Sequence, residues 1–323
     1  MKKKTAMPQF DVIGIGVNVV DILVQLPSHV EIGGKQKVEH LTIQGGGPAG
    51  TGSCVCAALG WRTGFVAQFG DDMLSQVAQL EFETRGILPD LFLENPQARP
   101  CAANVHIDPH TAERTIFFTR DGYQYLKPTD LPIEAIQTAR VLLIDGYEPE
   151  AALAALEGIQ GTPCRSVLDV EQGDEDDLLR LIALATDVIL PMATARMLTG
   201  KSSPEDALQV LSRKTCGQLV VTEGILGSWA LTPEDIIHQP AFRVNAVDTN
   251  GCGDVFHGAY AAGILADMPL AIRLEFSAWL ASLTAGFVGG RTGIPRQKDL
   301  ASLDQSRFSS MLTHYVGQFS QRA

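Results

Sequence analysis

The sequence is short of positive charge. Its 323 residues carry 25 Lys and Arg against 37 Asp and Glu, a formal net charge of −12. A surface that acidic disfavours nucleic acid and anionic membranes as partners, and leaves room for a small anionic ligand held by a few local groups. No apolar run reaches the roughly 18 residues of a membrane span. The stretch after Met1-Lys2-Lys3-Lys4 is interrupted by Asp11, Asn18 and Asp21, with no clean small-residue cleavage site behind it. Residues 1–7 are therefore expected to be a disordered tail, and the protein to be cytoplasmic. Six cysteines (Cys54, Cys56, Cys101, Cys164, Cys216 and Cys252) make no C-x-x-C pair and have no His-x-x-x-His partner. That pattern reads as buried free thiols in a reducing compartment rather than as a zinc site or a disulfide framework. Internal repeats, low-complexity tracts and an evident linker are also missing.

What is present is a chain with 45% hydrophobic residues and 19% charged ones, enough to bury a sizeable core. Its length fits two domains, or one large domain with an appendage. Phe10 to Val17 is apolar nearly throughout, as in a strand buried on both faces of a parallel sheet. From residue 140 onward strands and helices alternate: strands at 140–144, 166–168, 188–190 and 219–222, helices near 149–159, 174–185, 193–199 and 204–214. Earlier, a helix reaches Leu59, a strand spans Thr63 to Gln68, and a helix runs to about Arg85. Two or three short strands follow between 227 and 247. The last third reads as helices near 252–266, 269–287 and 306–318. This rhythm predicts an α/β fold with a parallel sheet covered on both faces. Segments 35–43 and 101–119 break the rhythm with strict alternation, the second as a hairpin around Asp108-Pro109-His110. They predict a small antiparallel flap whose two parts pair in space.

The 31 glycines cluster at two places. Asn245 to Gly258 reads as a strand end, a glycine-rich turn and a helix start near Cys252. Helix N-termini present unpaired N–H groups and the positive end of the helix dipole, and glycines let a ligand approach them. Gly251, Cys252 and Gly253 thus form a candidate anion hole for a phosphoryl group. Asp254 within it suits a base for a hydroxyl, with its basicity lowered by the dipole, or else a simple helix cap. The second cluster, Gly45 to Gly52, lacks the Lys-Ser or Lys-Thr of a Walker A loop and is not G-x-G-x-x-G. It fits either a substrate lying on the main chain or close helix–sheet packing.

The order of these features covers essentially the whole chain: Asp21, the GGGPA cluster, Leu59-Gly60, Gly70-Asp71-Asp72, Val221-Thr222-Glu223-Gly224-x-x-Gly227 and Asp248-Thr249-x-Gly251-x-Gly253-Asp254. It resembles the ribokinase-like (PfkB) family of carbohydrate and nucleoside kinases. The resemblance implies a three-layer α/β/α fold, a mainly parallel sheet of about nine strands, and a β-sheet lid. Residues 8–33, 44–98 and 121–323 would form the α/β domain, and 34–43 and 99–120 the lid. It also implies transfer of the γ-phosphoryl of ATP to a sugar hydroxyl with Mg²⁺, and in some members K⁺. Asp254 then matches the catalytic base and Gly251, Cys252 and Gly253 the anion hole. Asp21, Gly46, Gly47, Thr51 and Lys35 match the substrate side. Thr222, Gly224, Gly227 and Thr249 match the nucleotide side, and Asp248 matches a monovalent-cation ligand. A homodimer through the lid is implied as well.

The chain departs from the family pattern at two motifs. The Asn that usually follows the glycine cluster is replaced by Gly50 or Thr51. The Asn-x-x-Glu that helps order Mg²⁺ is replaced by Pro191-Met192-Ala193-Thr194. In wording, GGGPA, His238 to Phe242, Asp254 to Ala259 and Gly293-Ile294-Pro295 resemble the sulfofructose kinase branch. The basic residue expected after Leu143-Ile144-Asp145 to meet a sulfonate is instead Gly146-Tyr147. A nucleoside acceptor with Phe117, Phe118, Tyr123 and Tyr125 as platform is one alternative, and a catalytically weak sugar-binding sensor is another. The Cys252 thiol reads as a small residue that fits, or as a thiol activated by the helix end. His257 reads as a packing residue, and Trp279 and Phe287 as core. Arg120 and Lys35, at the lid borders, read as solvated charges or as contacts to an acidic substrate group.

Overall fold

The computed structural model describes residues 10–320, so the tail expected at 1–7 lies outside the described residues. In chain order the elements are β1 (Val12–Ile15), β2 (Val19–Gln25), β3 (Leu41–Gly46), α1 (Pro48–Ala58), β4 (Thr63–Phe69), α2 (Met73–Thr84), β5 (Phe92–Glu94), β6 (Cys101–Ile107), β7 (Arg114–Thr119) and α3 (Ile133–Thr138). There follow β8 (Val141–Asp145), α4 (Pro149–Gly158), β9 (Arg165–Asp169), α5 (Glu175–Leu184), β10 (Asp187–Pro191), α6 (Met192–Thr199) and α7 (Pro204–Leu211). The chain ends through β11 (Gln218–Thr222), β12 (Ser228–Leu231), β13 (Ile236–Gln239), α8 (Cys252–Leu265), α9 (Leu270–Thr284) and α10 (Ser310–Ser320).

Nine strands form one sheet in the order β13-β12-β11-β10-β9-β8-β1-β4-β5. Every pairing from β11 to β5 is parallel, and only β12 runs against the rest, antiparallel to both β11 and β13. The central strands are buried on both faces, which is why VIGI and VLLID are apolar without alternation. One apolar cluster packs α4, α5, α6 and α7 on one face of the sheet. A second packs α1, α8, α9 and α10 on the other. The fold is thus three-layered, α/β/α.

The second sheet has four strands in the order β3-β2-β6-β7. It corrects the sequence expectation in two ways. The strand predicted over 35–43 runs instead from Leu41 to Gly46, and residues 35–40 form no strand. That strand does not pair with the hairpin: β2 lies between, antiparallel to β3 and parallel to β6. Sequence pattern merged β2 into the apolar stretch of β1, from which only Gly16-Val17-Asn18 separates it. Residues 19–25, grouped with the α/β domain by sequence, therefore lie in the lid sheet. The short β5 and α3 carry no periodic signal. Helix α9 stops at Thr284, so Phe287 falls past its end and is 51% exposed rather than core. Trp279 is buried as expected. All six cysteines are free thiols, but Cys216 is exposed and Cys252 half-buried. No helix among the described residues is long and apolar enough to cross a membrane.

Helices α1 and α8 cross nearly backbone to backbone. A side-chain carbon at Gly258 would come under 3.0 Å from the Gly52 carbonyl, and one at Gly52 would strike Leu143 beneath it. The Cys56 thiol donates to the Gly258 carbonyl across the same contact. This crossing sets the two glycine-rich helix starts side by side. Gly258→Val should lower the unfolding free energy in urea by about 1–3 kcal/mol, the usual cost of overpacking. Gly317→Ala, where an added carbon meets nothing within 4 Å, should leave stability unchanged or raise it. A Gly258→Val protein as stable as its parent would mean that the crossing tolerates widening.

Candidate active site

The turn before α8 is held from below by Asp248. One carboxylate oxygen accepts the Asn250 N–H at 2.7 Å and the other the Gly289 N–H at 2.8 Å. Gly251, at φ 73°, caps the helix, and a side chain there would strike the backbone of Gly290. Gly253 faces open space. The Cys252 N–H makes only a long bond, 3.4 Å, to the Thr249 carbonyl, and the first turn of α8 otherwise presents its N–H groups to the cleft, the arrangement that binds anions. Asp254 projects from this turn. Its carboxylate accepts no hydrogen bond from the described residues, which leaves it free to take a proton.

The expected lowering of Asp254 by the helix dipole is overturned. Burial pushes its carboxyl up to about 7, and Glu171 and Asp21 add repulsion, while Arg114 and Arg291 oppose. The raising groups arrive from strand ends. β9 ends at Asp169 and leads to Glu171, both raised chiefly by burial. Both Asp169 oxygens are buried without a hydrogen-bond donor. His257 lies beside one of them, its Nδ1 3.1 Å from Asp169 Oδ2 and 2.7 Å from the Gly253 carbonyl, its Nε2 3.2 Å from the Ile189 carbonyl. Burial pushes the imidazole down, so His257 is a neutral packing group tying α8 to β10. Thr194, which occupies the Glu position of the missing Asn-x-x-Glu, donates its hydroxyl to the Glu171 carbonyl at 2.6 Å. It anchors the acidic loop instead of supplying a carboxylate.

Asp21 comes from β2 and is 9% exposed. Burial raises it to about 6, with Arg291 opposing. A side chain at Gly46 would collide with the Asp21 carboxylate, so the glycine makes room for it. Gly47, at φ 83°, starts α1. Asp145, at the end of β8, accepts the N–H groups of Val17, Ala49 and Tyr147 and so pins the ends of β1 and α1 together.

The remaining predicted residues divide. Thr222 ends β11, and the turn after it is built on Gly224 (φ 50°) and Gly227 (φ 102°), with the Glu223 N–H donating to the Gly227 carbonyl at 2.8 Å. Gly224 has open space around it, as a phosphate-holding turn requires. Thr249 differs: its hydroxyl and its N–H both donate to the Ala112 carbonyl, at the tip of the β6–β7 hairpin. It links the lid to the anion hole rather than facing a nucleotide. Thr51 is buried beneath the glycine cluster, not exposed to a substrate. Lys35 stands exposed on the irregular loop between β2 and β3, with no hydrogen bond or ion pair to any described site residue. The Cys252 thiol is pushed up by burial to about 12, so the helix end does not activate it.

Two functional residues were not found from sequence. Arg291 is fully buried under the glycine cluster. Its Nε donates to the Thr51 hydroxyl at 3.1 Å and its Nη2 to the Gly46 carbonyl at 2.6 Å, above the Phe82 ring. Side chains at Gly45 or Gly50 would strike its guanidinium. A lone arginine among glycines, Gly289-Gly290-Arg291-Thr292-Gly293, was the available signal. Arg114 lies on β7, and its Nη1 is 3.5 Å from the Thr249 hydroxyl. Period-two alternation along β7 puts it on the same face as Phe118 and hence Asp21. Hollows of about 280 and 460 Å³ lie beside β12 and β5, and neither includes Asp21 or Asp254. Phe118, on the same face of the small sheet as Asp21, is 63% exposed.

The chain is 26% identical over 243 residues to the aminoimidazole riboside kinase of Salmonella typhimurium, covering 71% of this chain and 76% of that one. It is 27% identical over 281 residues to the fructokinase of Klebsiella pneumoniae, covering 80% and 91%. Its fold is similar to the Arabidopsis thaliana ribokinase complexed with ribose and ATP, with TM-score 0.76, 18% identity and coverage of 97% and 99%. A model of the pfkB family carbohydrate kinases matches residues 12–297. That match, over most of the chain, settles the classification: the chain belongs to the pfkB family of carbohydrate kinases.

Proposed function

We propose that the protein transfers the γ-phosphoryl group of ATP to a hydroxyl of a sugar or sugar derivative, with Asp254 as general base. The observation that carries this reading is Asp254 itself, an unbonded carboxylate raised to about 7 at the mouth of a helix N-terminus. Asp21, on the facing lid strand, would hold acceptor hydroxyls. The attacking hydroxyl would give its proton to Asp254 as its oxygen bonds to phosphorus and ADP departs. The N–H groups of Gly251, Cys252 and Gly253 would receive charge on the transferred group. Arg114, already 3.5 Å from the Thr249 hydroxyl, would add positive charge there, and the lid would exclude water. The turn of Thr222, Gly224 and Gly227 would hold the rest of the triphosphate.

Asp169 and Glu171 fit Mg²⁺, which takes one or two carboxylates and completes its shell with phosphate oxygens and water. The unpartnered oxygens of Asp169 suit that role. Bound there, Mg²⁺ would neutralise phosphate charge. Asp248 has both oxygens engaged by backbone N–H groups, which favours a structural role for it over K⁺ binding. Tyr125 hydrogen-bonds Arg120, and Tyr123 is bonded to Glu148, which favours a sugar over a nucleoside needing a free aromatic platform.

The outer lid face exposes Leu41, Ile43 and Phe117, and β7 is an edge strand with every residue exposed. These features favour pairing with a second copy of the chain. Sedimentation should then give about twice the 34.7 kDa chain mass, and a monomer would contradict the pairing.

Asp254→Asn should cut kcat by about 10²–10⁴-fold, the usual contribution of a positioned base, with little change in the KM for ATP. The base must be ionised to act. A carboxyl at about 7 therefore predicts that kcat/KM falls as pH drops through 7 and levels above it. Arg291→Met removes a cation that favours ionisation, so the limb should move to higher pH. A limb near pH 4 would contradict the assignment, as would turnover that survives in Asp254→Asn.

A further inference from the structure

The turn between β11 and β12 is built on two glycines, Gly224 at φ 50° and Gly227 at φ 102°. Glycine makes rotation of the neighbouring peptides cheap, so the turn keeps one shape only if those peptides are tied down. Internal bonds tie most of them. The Glu223 N–H donates to the Gly227 carbonyl at 2.8 Å, the Leu226 N–H to the Glu223 carbonyl at 3.0 Å, and the Gly227 N–H to the Gly224 carbonyl at 3.1 Å. No backbone N–H among the described residues reaches the Leu226 carbonyl. His238, on β13, reaches it instead, with its Nε2 2.9 Å from that oxygen. A carbonyl only accepts, so Nε2 is the nitrogen that carries the proton.

The imidazole is itself held in place. His238 lies directly opposite Trp229 in the pairing of β12 with β13. The two rings stack with centroids 4.2 Å apart and planes inclined by 13°. Trp229 belongs to the buried core on its other side. The chain after His238 also closes on the turn, because a side chain at Gly227 would strike the Gln239 carbonyl and the Ala241 nitrogen. β13 thus grips the turn at Leu226 and at Gly227.

That grip reaches the ligand side through the peptide planes. In a trans peptide the C=O and the N–H point in opposite directions. With the Leu226 carbonyl fixed on His238, the Gly227 N–H points the other way, onto the Gly224 carbonyl. With the Gly224 carbonyl turned into the turn, the Ile225 N–H points out of it. Ile225 is 92% exposed, and its N–H meets no acceptor among the described residues. An outward N–H beside the open space at Gly224 is the donor that a phosphate oxygen needs. His238 sets the direction of that donor from behind, without touching the ligand.

We propose that His238 is a positioning residue for the nucleotide: by holding the Leu226 carbonyl it keeps the turn of Thr222, Gly224 and Gly227 in the shape that binds the phosphates of ATP. This rests on the kinase reading above and adds a residue to its nucleotide side. The effect belongs to the phosphates, because the turn is where the fold offers them N–H groups, and not to the base or the ribose.

The test is calorimetry on the full chain with three probes: ADP, the Mg²⁺ complex of β,γ-imido-ATP, and adenosine, the last read by displacement of ADP. In His238→Ala the dissociation constants of ADP and imido-ATP should rise about three- to tenfold, the weight of one ordinary hydrogen bond, while that of adenosine should change by less than about twofold. His238→Gln, whose side-chain amide offers an N–H to the same carbonyl, should recover most of the loss. Equal losses for adenosine and ADP, or no recovery in His238→Gln, would reduce His238 to a structural residue and overturn the assignment. Unchanged affinity for ADP and imido-ATP in His238→Ala would overturn it while leaving the kinase reading intact. A parent protein that binds none of the three probes would remove the kinase reading and this assignment with it.

Discussion

Everything at the site depends on how closely α1 and α8 approach one another. Gly52 and Gly258 allow their backbones to touch, and neither position has space for a methyl group. Because both helices start at glycine-rich turns, this single crossing puts the Gly45–Gly47 loop beside the first turn of α8. A wider crossing would separate Asp21 and the Gly45–Gly47 loop from Asp254 by the width of a side chain. Reactions that depend on positioning lose rate steeply with such shifts. The small residues of α1 (PAGTGSCVCAA) are therefore better explained by the chemistry they bring together than by helix stability, to which glycine is unfavourable.

Around this crossing, carboxylates with different tasks are separated by what they touch. Asp145 and Asp248 spend their oxygens on backbone N–H groups and act as clamps. Glu171 and Asp21 crowd Asp254 with negative charge, while Arg114 and Arg291 oppose them. The result is a carboxyl held near neutrality. A carboxylate in the first turn of an exposed helix would be expected to lie low. Here burial and like charge outweigh the dipole, and no sequence motif records that balance.

Much of the fold was legible because its signals are local. Fully apolar strands, strict alternation in β6 and β7, and glycine turns before α1 and α8 each follow from neighbouring residues. The strand β2 was not legible, because VVDILVQ follows β1 after three residues and period alone cannot tell one long strand from two that diverge. At the site, Asp254, Asp21 and the glycine turns could be read. Arg291, Arg114 and the fates of Thr51, Thr249 and Lys35 depend on contacts between distant segments: 240 positions separate Arg291 from Thr51, and 135 separate Arg114 from Thr249.

The central claim is that the start of α8 receives the transferring phosphoryl group while Asp254 faces the acceptor. The most direct measurement is a crystal structure with Mg²⁺, a non-hydrolysable ATP analogue and a bound acceptor. The account predicts γ-phosphate oxygens on the N–H groups of Cys252 and Gly253, and the acceptor hydroxyl within hydrogen-bond distance of Asp254. A triphosphate ending away from α8, or an acceptor whose hydroxyls all lie beyond reach of Asp254, would contradict it.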